Sequence, residues 1–524
     1  MKKFYIFILL LSLPFLGIQK GYSQVGTQNY KICVISDLHY FDTTLLINDG
    51  PAFQMYLAQD RKLLKESNAI MVSLFDSLLL IHPDIVLIPG DMTKDGEITC
   101  HQKILNFILS LKNAGIKVFV INGNHDINNP DALSYNNSTT TSVPTATPAQ
   151  FKTMYYNYGY NGALKTDTAS LSYIAEPIAG LQILSLDVCR YDSNFVNGAP
   201  VTSGGYKPHV LQWCKDRLIE ARQAGKVVLG MQHHNLMEHY MGQATIFSEY
   251  VIDDYDTIST QLANLGLKVM FTGHFHAQDI VMKTTSYGNA IYDVETGSAI
   301  TYPDPYRIMT LTTDTMLQIT GKHITNINYN TGTMTFQQYS LHALQTGLPP
   351  QIIYMLMSPP YYVDSATAYA IEPAITETFI AHFGGNESNP SAQTSAIIAM
   401  LKQDANYAFI GYILEGIWTD LPPDDWTTTI DLNSKFYSGI QETYNINNIL
   451  LFPNPSQGIF NLLMPDIKSK INLKIFDISG KLVYDKDSKD NRNVVIDISN
   501  KSAGEYIIQV KINNTILTKK IIKN

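Results

Sequence analysis

The stretch "LKVMFTGHFH" (residues 267–276) decides how this chain is read. An apolar run reaches Gly273, and two histidines follow, His274 and His276, with Phe275 between them. A continuous apolar run fits a strand buried on both faces rather than one with a wet side. Residues just beyond the carboxyl end of such a strand sit where open α/β sheets bind ligands. Working outward, the same grammar recurs in "KICVISD", "DIVLIPGD", "IKVFVINGNHD", "LQILSLD" and "KVVLGMQHH". Between these runs, "RKLLKESNAIMVSLFDSLLL" (61–80) and "HQKILNFILSLKNAG" (101–115) keep apolar residues at three-to-four spacing, which predicts helices. Alternating strands and helices imply a layered α/β fold over residues 28–340. Residues 128–148, rich in Asn, Ser, Thr and Pro, are expected to form an irregular surface loop.

The strand ends carry the chemistry. In order they offer Asp37 and His39, then Asp91, then Asn124, His125 and Asp126, then the pair His233-His234, and last His274 and His276. Carboxylate, imidazole and amide oxygen together suit Zn, Mn or Fe in mixed N/O coordination. In an extended segment residues i and i+2 point the same way, so Asp37 with His39, and His274 with His276, are expected to aim at one place. The set is too large for one ion and suits two that share a bridging carboxylate. Gly90, Gly123 and Gly273 are expected to permit the turns that crowd the ligands. A lone DxH, GD or HH carries little information. Five such pieces in one order, each behind a buried strand, carry much more.

The pieces "SDLH", "PGDMT", "NGNHD", "QHHN" and "GHFH" resemble the calcineurin-like metallophosphoesterase superfamily over about residues 30–310. The resemblance implies a four-layer α/β/β/α sandwich with a two-metal site. One ion is expected on Asp37, His39 and His276, the other on Asn124, His233 and His274, with Asp91 bridging. His233 is preferred to His234 because the family uses the first histidine of such a pair. The implied reaction is phosphate-ester hydrolysis by a bridging hydroxide, since paired ions lower the pKa of a shared water. His125 is expected to protonate the leaving oxygen, and Asp126 to orient His125. Purple acid phosphatases carry a tyrosine three residues after the bridging Asp and a glycine where His39 stands. Lys94 and His39 occupy those positions here, so an iron–tyrosinate site is disfavoured. The DxH form resembles class III cyclic-nucleotide phosphodiesterases and acid-sphingomyelinase-like enzymes.

Outside this constellation the reading is plainer. His239 and Asp187 are expected to make ordinary hydrogen bonds, and Arg307 to meet either phosphate or Asp304. Residues 341–445 hold two helix-like segments, 364–383 and 394–418, and no chemical constellation; a helical extension packed on the α/β body is expected. Cys33 lies in an apolar strand, as a buried free thiol would. The other three cysteines show no metal-finger spacing.

The chain has 524 residues, 45% hydrophobic and 16% charged, enough for several packed domains. Its net charge of −9 is uneven: residues 446–524 hold 12 Lys+Arg against seven Asp+Glu, and residues 24–445 carry −17. An acidic body argues against nucleic acid as a partner, whose backbone needs basic surface. Lys2, Lys3, an apolar run and Gly21-Tyr22-Ser23 read as a signal peptide over residues 1–23, with no membrane span in the mature chain. The tail, 449–524, shows short strand patterns expected to form a β-sandwich. Its "FPNPSQG", "KIFDISGKLVYD" and closing "KKIIKN" resemble the type IX secretion sorting domain, which implies export to the medium or cell surface by that machinery. The expectation is a secreted, two-metal phosphodiesterase acting on a small phosphate ester. A phosphomonoesterase, or an inactive binding protein on the same scaffold, are the alternatives.

Overall fold

The computed structural model describes residues 25–433, apart from 27, 360 and 405, and residues 450–524, apart from 464–470, 479, 489–492 and 513–514. The signal-peptide reading of 1–23 lies outside the described residues. The chain divides into two compact units, the first of residues up to 437 without 286–288, the second of residues 438–524 with 286–288.

The strands of the first unit, in chain order, are β1 (Tyr30–Val34), β2 (Ile85–Ile88), β3 (Lys117–Val120), β4 (Tyr173–Ile178), β5 (Leu181–Ser185), β6 (Val227–Met231), β7 (Val269–Thr272), β8 (Asp279–Thr284), β9 (Ala290–Glu295), β10 (Pro305–Leu311), β11 (Met316–His323) and β12 (Thr427–Asp431). One sheet runs β12-β11-β10-β1-β2-β3. The other runs β8-β9-β7-β6-β5-β4, with a short strand, Lys165–Thr166, on the β4 edge. The central strands β1, β2 and β3 are mutually parallel, as are β5, β6, β7 and β9.

Side-chain alternation explains why these runs are apolar throughout. Ile183, Leu229 and Phe271 of the second sheet share a core with Ile32, Val34 and Leu87 of the first. Their neighbours Leu184, Val228 and Met270 turn the other way, onto the helices Pro208–Gln223 and Tyr255–Leu265. The helices Ser67–Ile81 and Ile98–Asn113 pack against the first sheet through Ile70, Leu74, Ile104 and Ile108. The result is an α/β/β/α sandwich. Each aliphatic side chain buried this way contributes roughly 1.5–3 kcal/mol.

Four expectations are corrected. The helix read over 61–80 begins at Ser67, so Arg61 and Lys62 lie in the loop before it. Residues 128–148 contain a hairpin, Leu133–Asn136 with Thr139–Ser142, whose first strand also pairs with Leu46–Asn48. The β-branched run at 139–142 favours the strand that its polarity concealed. The segment 394–418 forms two helices, Ala392–Gln403 and Ala408–Ile417; between them the Asp404 side chain accepts from the Asn406 amide at 2.8 Å, a turn that competes with helix. The extension is also more than helical. It begins with an unforeseen helix, Phe336–Met357, which encloses Pro349 and Pro350, and it ends by adding β12 to the edge of the first sheet. The helix Ser365–Phe383 lies where the sequence placed it.

The second unit contains two antiparallel sheets. Leu450–Phe452, Ile459–Leu463 and Asn493–Asp497 form one; Leu482–Ser488, Ile471–Asp477, Gly504–Ile512 and Thr515–Lys523, in that order, form the other. Phe460, Leu473, Ile475, Ile496 and Ile508 alternate into one core. In "FPNPSQG" the Asn454 side chain spans two backbone groups, accepting from Ile522 N at 2.8 Å and donating to Lys520 O at 3.0 Å. That motif therefore fastens the last strand. Among the described residues no helix is long and apolar enough to cross a membrane.

Candidate metal centre

The ends of β1, β2, β3, β6 and β7 converge. Asp37, His39 and His276 bring ligand atoms within 4.8 Å of one another, and so do Asp91, His233 and His274. His39 Nε2 and His276 Nε2 face each other at 3.0 Å, and Asp37 Oδ1 lies 3.4 Å from the second of them. His233 Nε2 stands 3.0 Å from Asn124 Oδ1 and 3.2 Å from Asp91 Oδ2; the same Asp91 oxygen lies 3.6 Å from His39 Nε2. Asp91 thus touches both groups. All seven of these residues are buried.

The tautomers follow from the outer contacts. His233 Nδ1–H donates to Pro89 O at 3.0 Å, which turns Nε2 inward. His274 Nε2–H donates to Glu249 O at 3.2 Å, which frees Nδ1. His234 points elsewhere: its Nε2 meets Thr202 O at 2.7 Å. Burial holds His39 and His274 well below the usual imidazole range and brings His276 down to about 4, whereas at His233 burial is outweighed by the Asp91 charge, which raises it to about 9. Neutral imidazoles are the form a metal requires.

The backbone that delivers these ligands is not extended. Asp37, His39, Asp91, His274 and His276 all have positive φ, from 36° to 79°. The i, i+2 alternation expected from a strand is therefore not what aims each pair; left-handed residues at the strand exits do. Such a conformation costs of order 1–3 kcal/mol at each non-glycine residue and persists only where surrounding structure over-determines it. Two of the glycines also act differently from expectation. Gly123 and Gly273 do not have positive φ; they are needed for space. A Cβ at 123 would collide with the Asp91 carboxylate, and one at 273 with the carboxylate of Asp37. His274 N in turn donates to Asp37 Oδ2 at 3.1 Å, and His125 N to Asp91 Oδ1 at 2.9 Å, so backbone amides lock both carboxylates.

His125 sits beside the cluster, its ring edge-on to His39 at 5.0 Å. The expectation that Asp126 orients it is corrected. His125 Nδ1–H donates to Asp95 Oδ1 at 2.8 Å. Asp126 instead accepts from Thr93 N, Thr93 Oγ1 and Gly123 N at 2.9–3.1 Å, tying two strand-exit turns together. Neighbours in a tight turn diverge, whereas Asp95 returns on the adjacent turn. Burial opposes protonation of His125, but the Asp91 charge and the Asp95 hydrogen bond outweigh it and raise its pKa. Asp95 is itself held by the buried Lys94, which also lies over the Tyr56 ring at 4.2 Å.

Other residues resolve simply. Asp187 accepts from Tyr191 Oη at 2.6 Å and from Asn122 Nδ2 at 3.2 Å. Arg307 meets neither Asp304 nor an open site: it is fully buried and donates to the carbonyls of Asp425, Asp279 and Glu295. His239 is buried between Asp279 and Asp293, at 3.3 and 3.2 Å. Lys62, missed because it read as helix, is half-buried and ion-pairs with Asp60 at 3.1 Å; its charge acts on His39. All four cysteines are free and buried.

Residues 30–278 match the family model of the calcineurin-like phosphoesterases, and residues 450–524 that of the secretion system C-terminal sorting domain. No curated protein matches the chain. Among solved structures, the chain is similar to a dimetal phosphatase from Danio rerio (14% identity, 57% of this chain and 97% of that one, TM-score 0.39). It is also similar to a purple acid phosphatase from yellow lupin seeds (9% identity, 57% and 52%, TM-score 0.37). A third similar structure is an immunoglobulin-like β-sandwich protein from Bacteroides vulgatus (22% identity, 15% and 85%, TM-score 0.14).

Proposed function

We propose, for a chain that carries a calcineurin-like phosphoesterase domain over 30–278 and a secretion sorting domain over 450–524, that the strand-exit cluster is a two-ion centre for phosphodiester hydrolysis. The carrying observation is Asp91, whose one carboxylate touches both ligand groups. Asp37, His39 and His276 would hold one ion, and Asn124, His233 and His274 the other. The donor set fits such ions. His39 Nε2 and His276 Nε2 confront each other at hydrogen-bond distance, and both Nδ1 atoms are buried without partners. Four imidazoles and two carboxylates with an amide oxygen suit Zn, Mn or Fe.

When bound, paired ions supply Lewis acidity and activation of water near neutral pH. The chain's own residues do the rest. The amides of His125 and His274 fix the carboxylates, so the ligands are placed before substrate arrives. His125, held by Asp95 and with its pKa raised, keeps a proton for the leaving oxygen. Phosphate diesters are favoured over monoesters because Asp37 and His39 give the DxH form that resembles class III cyclic-nucleotide phosphodiesterases. The sorting domain directs the enzyme to secretion or the cell surface. Turnover of bis-p-nitrophenyl phosphate against p-nitrophenyl phosphate tests the reading. A clear preference for the diester is expected. Preference for the monoester would overturn the diester assignment, and no turnover of either with metals loaded would favour a binding protein.

A further inference from the structure

A second group of ligand-type side chains lies where the extension meets β8. We infer that Asp279, His382 and Glu387 form a further divalent-cation site, distinct from the strand-exit centre, that clamps the extension onto the sheet. Asp279 opens β8; His382 closes the helix Ser365–Phe383; Glu387 follows in the next turn. Their ligand atoms lie within 4.8 Å of one another, and all three residues are at least 96% buried. His382 Nδ1 is the focus, 2.6 Å from Glu387 Oε1 and 3.6 Å from Asp279 Oδ2.

A hydrogen-bonded His–Glu pair is the competing account, and it leaves too much unmet. One N–H can serve only one of the two carboxylates turned toward it. Glu387 Oε2 is buried with no hydrogen-bond partner, and Asp279 Oδ1 meets only the His239 ring, at 3.3 Å. A buried polar atom without a partner is rare in a native protein. Charge points the same way. Asp293, Glu295 and Asp425 are also buried here, and among the described residues Arg307 and His239 are the further cationic groups that touch this cluster of acids. The excess negative charge must be met by protons or by a cation. Burial pushes Asp425 up to about 10 and Glu295 up to about 8, so protons meet part of this charge; on Glu387 Oε2 a proton finds no acceptor, whereas a cation gripped by both oxygens takes up both.

Two carboxylates and one imidazole select Zn, Mn or Fe rather than a soft-ligand metal. The site would act mechanically. The His382 ring packs 5.4 Å from the ring of Phe275, the residue between His274 and His276. Gln278 N donates to Phe383 O at 3.2 Å, continuing the same seam. Clamping the helix end therefore braces the back of the "GHFH" exit.

The test is the metal content of the full-length enzyme, loaded with zinc, dialysed and measured per chain by mass spectrometry. His382→Ala and Glu387→Gln should each hold one ion fewer than the native chain, with Glu387→Gln retaining turnover within about twofold. They should also lose zinc-dependent protection of the extension from protease. Equal metal content in the native chain and the folded Glu387→Gln variant would overturn the site. The near-isosteric glutamine keeps this decisive if His382→Ala does not fold. Because the readout is a difference of one ion, it does not depend on what the strand-exit centre binds.

Discussion

The strand-exit centre and the Asp279–His382–Glu387 cluster use the same side-chain types in opposite ways. In the first, five of seven ligand-type residues have left-handed backbone, and glycines at 123 and 273 clear space for carboxylates. In the second, none of the three is among the positive-φ residues; ordinary strand and helix ends bring them together. Strain of about 1–3 kcal/mol per residue marks the place where geometry must be exact enough for chemistry. A clamp requires convergence only, and regular elements supply it. The contrast also shows how ligands are found. Motifs that crowd into tight turns leave short signatures, whereas single residues brought together by ordinary strand and helix ends leave none.

Variants can sharpen or break this contrast, beginning with the largest effect. Asp91→Asn should abolish binding of at least one ion and lower turnover by more than roughly 10³-fold, beyond the loss of a single oxyanion donor. Metal analysis with steady-state kinetics checks it; retained activity would remove Asp91 from the bridging role. His125→Ala should lower kcat by roughly 10²–10⁴-fold, the usual share of a general acid, while both ions stay bound. Loss of metal in that variant would make His125 a ligand instead. Asp95→Asn should lower kcat by roughly 10- to 100-fold, as outer partners commonly do, with KM little changed. It should also move the alkaline limb of the pH–rate profile to lower pH. The direction follows from the raised His125 pKa: removing the carboxylate lets the imidazole lose its proton earlier. An equal loss with an unmoved profile would assign Asp95 to packing alone. Glu387→Gln should have the smallest effect on turnover, and a collapse there would mean the two clusters are not separate in role.

Much of the architecture was legible in the chain. The apolar runs ending at Asp37, Asp91, Asn124, His233 and His274 are buried on both faces, so their composition alone revealed parallel strands and a shared edge. The tail's short strand patterns likewise announced a β-sandwich, and two antiparallel sheets form there. What stayed hidden depended on local geometry or on distance. The left-handed exits cannot be read from residue type alone, since Asp and His adopt positive φ more often than most residues but only at a few of their positions. Asp126, next to His125 in sequence, was the natural orienting partner, yet the turn sends them apart and Asp95 arrives from the neighbouring loop. The helix Phe336–Met357 was concealed by Pro349-Pro350, and β12 by its isolation after four helices. Lys62 was absorbed into an amphipathic pattern that the helix itself does not reach.

The central claim is that two ions share Asp91. Anomalous diffraction from crystals of the zinc-loaded enzyme tests it most directly. The account predicts two peaks flanking the Asp91 carboxylate, one bounded by Asp37, His39 and His276 and the other by Asn124, His233 and His274. A single peak between those groups, or peaks that leave Asp91 uncoordinated, would contradict it.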